Sequence, residues 1–145
     1  MDYHADMETA ELEKKIRERN GRMTRVRKAM LDFFGTAETP LTATSILELL
    51  ARRRITANRT TIYRELRFLE DTGVIHEVRI IGHGRSFELS GGHRHHLVCL
   101  GCHDVKSVAF KNHLDSEEER LLRDERFRVS DHSLEFYGLC DKCSE

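Results

Sequence analysis

Four cysteines constrain this chain more than any other feature. They form two pairs, Cys99-x2-Cys102 and Cys140-x2-Cys143, with 37 residues between the pairs. Two such knuckles let four thiolates converge tetrahedrally, the closed geometry of a structural zinc site. The alternatives are two redox-active dithiols or four unconnected thiols. Residues 1–20 are charged throughout and lack the apolar core of a signal peptide, and the longest apolar stretches are too short to span a bilayer. A soluble, cytoplasmic chain is therefore expected, and in that compartment disulfides are disfavoured. A bound zinc also explains how residues 90–145, with few apolar residues, hold together, because metal-binding free energy becomes folding free energy.

The 145 residues carry 24 Lys+Arg and 25 Asp+Glu, a net charge of −1. That near-neutrality argues at first against a nucleic-acid binder. The charge is unevenly spread, however. Residues 21–85 hold 12 Lys/Arg against 7 Asp/Glu, whereas residues 90–145 hold 8 against 11. A basic, anion-facing N-terminal part thus precedes an acidic part that holds all four cysteines. The division expected is 1–89 for one domain, a hinge at 90–92 (Ser90-Gly91-Gly92), and 93–145 for a second.

The first part reads as helices followed by a hairpin. Residues 8–19 form a charged helix with Leu12 and Ile16 as its apolar positions. Thr24 caps a second helix with Val26, Ala29, Met30 and Phe33 at helical spacing, and Gly35 and Pro40 mark a break. Thr42 caps a third helix with Ile46, Leu49 and Leu50 inward, running out into Arg52-Arg53-Arg54. A fourth spans about residues 60–71, capped near Asn58 and ended by Gly73. The period then changes to two: Val74, His76, Val78 and Ile80 share one strand face, Gly82-His83-Gly84 turns, and residues 85–89 return. This order is that of a winged helix-turn-helix. In the second part, residues 93–98 and 105–110 read as strands and Ser116 with Glu119 as a capping box for a helix carrying Leu121 and Leu122. A long strand over 127–137 leads to the last knuckle. The fold class expected is α+β: an N-terminal winged helix-turn-helix domain, then a small α/β domain with a four-cysteine zinc site.

On the fourth helix, Ile62, Glu65, Leu66 and Leu69 fall on one side and Thr60, Tyr63, Arg64 and Arg67 on the other. The outward set suits phosphates and base edges in a major groove. Arg59 at the helix start, Arg22 and Arg25 before the second helix, and Arg79 or Arg85 on the wing add candidate phosphate contacts. Taken alone, such a face is more often simply a solvated one; the surrounding helix-turn-helix and the local basic balance favour DNA.

Nine histidines are many for this length. A single histidine on an apolar face is usually a hydrogen-bonded core residue, and His4, His83, His103 and His113 read as surface residues. The cluster next to the first knuckle is different. A His-x-His pair with a further histidine on a strand face and acids nearby makes a second, nitrogen- and oxygen-rich metal site. Such ligation suits zinc, iron, manganese or nickel, and exchanges more readily than four thiolates.

The sequence resembles the ferric uptake regulator family of metal-responsive repressors from about Arg22 to Cys143. The resemblance is carried by Arg22-Met-Thr-Arg-Val-Arg27, Thr60-Thr-Ile-Tyr-Arg64 with Leu66 and Leu69, Gly73-Val-Ile75 and Phe87-Glu-Leu89. It continues through His93-x-His-His-Leu-Val-Cys99-x2-Cys102, His132-Ser-Leu-Glu-Phe-Tyr-Gly138 and Cys140-x2-Cys143. It implies a homodimer that binds a palindromic, double-stranded DNA operator through its winged helices, with the C-terminal half as dimerisation domain. Arg22, Arg25, Arg59, Thr60, Thr61, Tyr63, Arg64 and Arg67 are then the DNA-binding set, with Tyr63 and Arg64 at the family's own contact positions. Cys99, Cys102, Cys140 and Cys143 match its structural zinc. A regulatory site within the dimerisation domain matches His93, His95 and His132, with an acid at or near Asp115. A hinge site matches Glu88 and His96, but Arg94 replaces one family histidine and Pro40 another, so this site is incomplete unless His76 substitutes.

The function expected is a metal-dependent repressor of metal homeostasis that uses structural Zn2+ and a regulatory divalent metal, Fe2+, Zn2+ or Mn2+. No membrane or small-molecule substrate is implied. A peroxide sensor of the same family is the nearest alternative, and a zinc-ribbon adaptor binding protein through its acidic half is a second. An enzyme is not expected, since the Cys and His residues form closed ligand sets with no nucleophile–base pair.

Overall fold

A computed structural model describes residues 9–91, 94–109, 114–130 and 132–144. The chain divides into two compact units, Met1–Gly92 and His93–Glu145. The part of the hinge at Gly92, together with His93, lies outside the described residues.

The first unit opens with α1 (Thr9–Glu18), whose Leu12 and Ile16 are buried at helical spacing. Helix α2 (Arg25–Thr36) starts where Thr24 turns extended and its hydroxyl accepts the Arg27 N–H. Gly35 does not end this helix, which runs on to Thr36, because a glycine one residue from the helix end adds only a modest entropic cost. Helix α3 (Ala43–Arg52) is opened by a reciprocal capping box between Thr42 and Ser45, and α4 (Arg59–Asp71) by the Asn58 carboxamide accepting from Thr61. Ile46 and Leu50 of α3 meet Ile62, Leu66 and Leu69 of α4 over Met30, Phe33 and Phe34 of α2, forming one core.

The sheet beside it has the order β1-β3-β2, from β1 (Leu41–Thr42), β2 (Ile75–Val78) and β3 (Ser86–Leu89), all antiparallel. Gly73, at φ +74°, turns the chain from α4 into β2 as only a residue without Cβ does cheaply. The expected apolar face of the β2 strand is interrupted. Val74, Val78 and Ile80 are buried, but the His76 side chain is 46% exposed because it leans across to Glu88, its register partner on β3.

The second unit is a three-stranded sheet of order β5-β4-β6, with β4 (Arg94–Cys99) antiparallel to β5 (Val105–Ala109) and parallel to β6 (Glu135–Gly138). The crossover carries α5 (Asp115–Asp124). Two expectations fail here. The helix begins one residue before Ser116 and its N-cap, Leu114, makes no side-chain hydrogen bond, so the capping box does not form. The long final strand is short: only residues 135–138 pair, because the register His96↔Glu135 to Cys99↔Gly138 gives nothing earlier a ladder partner. Among the described residues, α5 buries no side chain, and no helix is long and apolar enough to cross a membrane.

Candidate metal centres and nucleic-acid interface

The parallel pairing of β4 and β6 brings the two cysteine knuckles to the same end of the sheet. Cys99 closes β4 opposite Gly138, and Cys140 follows two residues later. The four sulphurs lie within 4.8 Å of one another, and Cys102 Sγ and Cys140 Sγ are 3.8 Å apart. A tetrahedron with Zn–S bonds of about 2.3 Å has an edge of about 3.8 Å. The thiols are all free rather than paired as disulfides. Gly101 belongs to the same geometry: a Cβ there would sit 2.8 Å from both Cβ and Sγ of Cys143.

The electrostatics agree. Cys99 Sγ accepts the backbone N–H groups of Cys102 and Cys140, at 3.5 and 3.4 Å. These donors hold its thiol down at about 6, so a thiolate is present at neutral pH. Cys143 is pushed up to about 12 by the neighbouring sulphurs of Cys140 and Cys99. Four sulphurs this close do not all ionise unless a cation takes up their charge, which is the demand a zinc site makes. The donor set and spacing fit structural zinc.

A second cluster lies in the same unit. His95 on β4 is 2% exposed, and its ring centroid is 5.6 Å from that of His132, which precedes β6. Nδ1 of His132 lies 2.7 Å from Oε1 of Glu118 on α5. The carboxylate beside His132 is thus that of Glu118, not the expected Asp115, which sits one helical turn earlier. Sequence spacing located the helix but not which of its clustered acids turns inward. His93, expected in this set, lies outside the described residues. Among the described residues only the four cysteines bring three or more ligand atoms within metal-binding reach of one another; here His132 lies between the Glu118 carboxylate and the buried His95 ring.

Of the expected hinge ligands, His76 and Glu88 come together in the first unit, with Nε2 of His76 3.0 Å from Oε1 of Glu88. Glu88 is buried despite its charge. His96 is buried in the second unit, where its backbone N–H donates to the Leu134 carbonyl at 3.3 Å.

Helix α4 separates its faces as its sequence requires. Ile62, Leu66 and Leu69 are buried, while Thr60, Tyr63, Arg64 and Arg67 are exposed and Thr61 is half-buried. Arg22, Arg25 and Arg59 are exposed too, and Arg59 donates to the Thr44 hydroxyl at 3.3 Å, tying the start of α4 to α3. On the wing, Arg85 is already engaged by both Glu77 carboxylate oxygens at 3.1 and 3.2 Å, which raises the guanidinium pKa and lowers that of Glu77. Sequence reasoning missed one contact. Glu65, on the inward face, forms a two-point ion pair with Arg27 of α2 at 2.7 and 3.0 Å. A lone acid on an otherwise apolar stripe was the available signal, since buried charges are paired.

A helix-turn-helix with a three-stranded wing, followed by a unit with four convergent thiols that fit zinc, defines a winged-helix protein with a metal centre. Residues 18–137 match the Ferric uptake regulator family. Similar relatives include the peroxide-responsive repressor PerR of Staphylococcus saprophyticus, 30% identical over 97% of this chain and 98% of that protein. The ferric uptake regulation protein of Neisseria meningitidis is 30% identical over 84% of this chain and 85% of its own. The Helicobacter pylori ferric uptake regulator Fur superposes with a TM-score of 0.77 at 19% identity, covering 94% of this chain and 91% of that one. The chain belongs to the ferric uptake regulator family of metal-responsive transcriptional repressors.

Proposed function

We propose that this chain is a cytoplasmic, homodimeric, metal-dependent repressor that binds a palindromic operator, not an enzyme. Thr60, Thr61, Tyr63, Arg64 and Arg67 enter the major groove, and Arg22, Arg25 and Arg59 contact flanking phosphates. Cys99, Cys102, Cys140 and Cys143 hold structural zinc. The observation that carries the regulatory part is the meeting of His95, His132 and Glu118, three donors from three separate segments of one unit. With His93 they form the dimer-domain regulatory site, Glu118 taking the place expected of Asp115. His76 and Glu88 supply the first unit's share of the expected hinge ligands. When bound, a divalent cation supplies positive charge that these imidazoles and carboxylates share. The residues themselves tie β4, α5 and the approach to β6 together, and β2 to β3.

Dimerisation is supported by an apolar face on the second unit. Leu97 and Phe136 stand side by side on β4 and β6 and are 39% and 45% exposed, with Leu100 and Leu139 at 60% and 58% beyond them. A contiguous exposed apolar patch marks an association surface, and a second copy presents the matching one.

The test is operator affinity with and without added manganese or ferrous iron, after a chelator mild enough to leave one zinc per chain. Tighter binding with metal is expected, and equal affinities overturn the metal switch. A peroxide-sensing role is the second reading, since relatives at the same 30% identity include both a peroxide-responsive repressor and a ferric uptake regulation protein. Mass spectrometry after peroxide treatment of the ferrous form separates the two: an added oxygen on His93, His95 or His132 marks the sensor, and unmodified histidines the metal-only repressor.

A further inference from the structure

The buried Arg27–Glu65 pair does more than neutralise two charges. Arg27 directs its donors three ways. Nε and Nη2 donate to the two carboxylate oxygens of Glu65, and Nη1 donates to the backbone carbonyl of Arg22 at 2.6 Å. Its guanidinium carbon lies 3.9 Å over the centre of the Phe68 ring. Glu65 and Phe68 belong to α4, whereas Arg22 lies in the segment before α2. One planar cation therefore grips the inward side of the groove-facing helix and the backbone of the preceding arm.

The arm is also pressed onto that helix. A Cβ at Gly21 would stand 2.6 Å from the Phe68 ring and 2.7 Å from Ile16, so the chain passes here only as glycine. The carbonyl of Arg22 is fixed on the other side by the Thr24 N–H at 3.2 Å. With its backbone held this way, the exposed Arg22 side chain projects from a fixed point relative to Tyr63 and Arg64. A surface loop carrying an arginine ordinarily loses side-chain and backbone entropy in reaching a phosphate; here the backbone share is already met in the free protein.

We infer that Arg27 is a positioning residue for DNA binding, which through Glu65 and Phe68 registers the Arg22 arm to the α4 helix so that both contact one duplex together. This rests on the operator-binding reading. A lysine at 27 keeps the charge but has no planar fork, so it cannot pair both Glu65 oxygens from two nitrogens while lying flat over Phe68.

The experiment is a double-mutant cycle on the metal-loaded protein, read as the slope of log affinity against log salt for sheared duplex DNA of random sequence. Arg22→Ala should reduce that slope by about 0.9, the loss of one phosphate contact. Glu65→Gln should produce the same reduction with Arg22 still present, and the double variant should lose no more than either alone. Phe68→Leu removes the stack without leaving a buried charge unpaired; it repeats the measurement should Glu65→Gln fail to fold, and should also lower the slope. A purely stabilising pair would lower the melting temperature and leave the slope of the folded protein at its wild-type value. An unchanged slope in the folded Glu65→Gln or Phe68→Leu protein, or losses that simply add in the double variant, overturns the inference. Wild-type protein that fails to bind duplex DNA overturns the operator-binding reading and this inference with it.

Discussion

Helix α4 offers the sharpest test because its two faces are assigned opposite work. Leu66 is 1% exposed in the core of the first unit, whereas Arg64, two residues earlier, is exposed. Leu66→Ala removes a fully buried side chain and should cost about 2–5 kcal/mol, transfer and cavity terms together. For a unit the size of the first one, about 3 kcal/mol corresponds to a fall in melting temperature of roughly 10–25 °C. Arg64→Ala touches no core contact and should leave the melting temperature almost unchanged. Its loss from a base edge or phosphate should instead weaken operator binding by about 1–3 kcal/mol, roughly 5- to 150-fold. Circular dichroism melts and fluorescence anisotropy on the same two proteins give a complete test, with gel filtration checking that each variant keeps the parent's oligomeric state. An Arg64→Ala dimer that binds DNA as the parent does would remove α4 from the interface. An unshifted melt for Leu66→Ala would refute the packing.

Other outcomes follow from the same contacts. Cys140→Ser should abolish zinc retention and strip amide protection from β4 and β6 while α2, α3 and α4 stay protected in hydrogen exchange. Gly101→Ala places a methyl against Cys143 and should speed zinc loss to a colorimetric chelator without changing the metal-to-protein ratio at saturation. Asn58→Ala deletes the α4 cap and should destabilise the first unit by about 1 kcal/mol, seen in urea denaturation with an unchanged m-value. The combined variant His132→Ala with Glu118→Gln should bind one fewer metal per chain by elemental analysis while the zinc remains.

Local features were readable from the sequence. Thr24, Thr42 and Asn58 all cap the helices their positions announce, because capping needs only a hydroxyl or carboxamide next to the first turn. The cysteine spacing foretold a convergence that the sheet delivers. What escaped depends on partners distant in the chain. The two-residue strand at Leu41 exists only because Phe87 lies beside it, and no period can be read from two residues. Residues 127–134 alternate like a strand, yet the pairing with β4 starts only at Glu135. Ser116 and Glu119 have the spacing of a capping box, yet the helix had already begun at Asp115. Which acid meets His132 is set by the rotation of α5 over the sheet, a tertiary quantity, and Arg27 was invisible as a clamp until Glu65 and Arg22 were seen on either side of it.

The parallel register of β4 with β6 has a kinetic consequence. The first unit is held by helices adjacent in the chain, contacts that close quickly. The thiol centre instead requires Cys140 to find Cys99 across 41 positions, around α5 and β5. That loop must close before its cation rewards the closure. A freshly made chain should therefore pass through a period with a finished reading head and an unfinished second half. Zinc capture should then come late in assembly, after the first unit has formed, so a chain starved of zinc should show a folded first unit beside an unfinished second one.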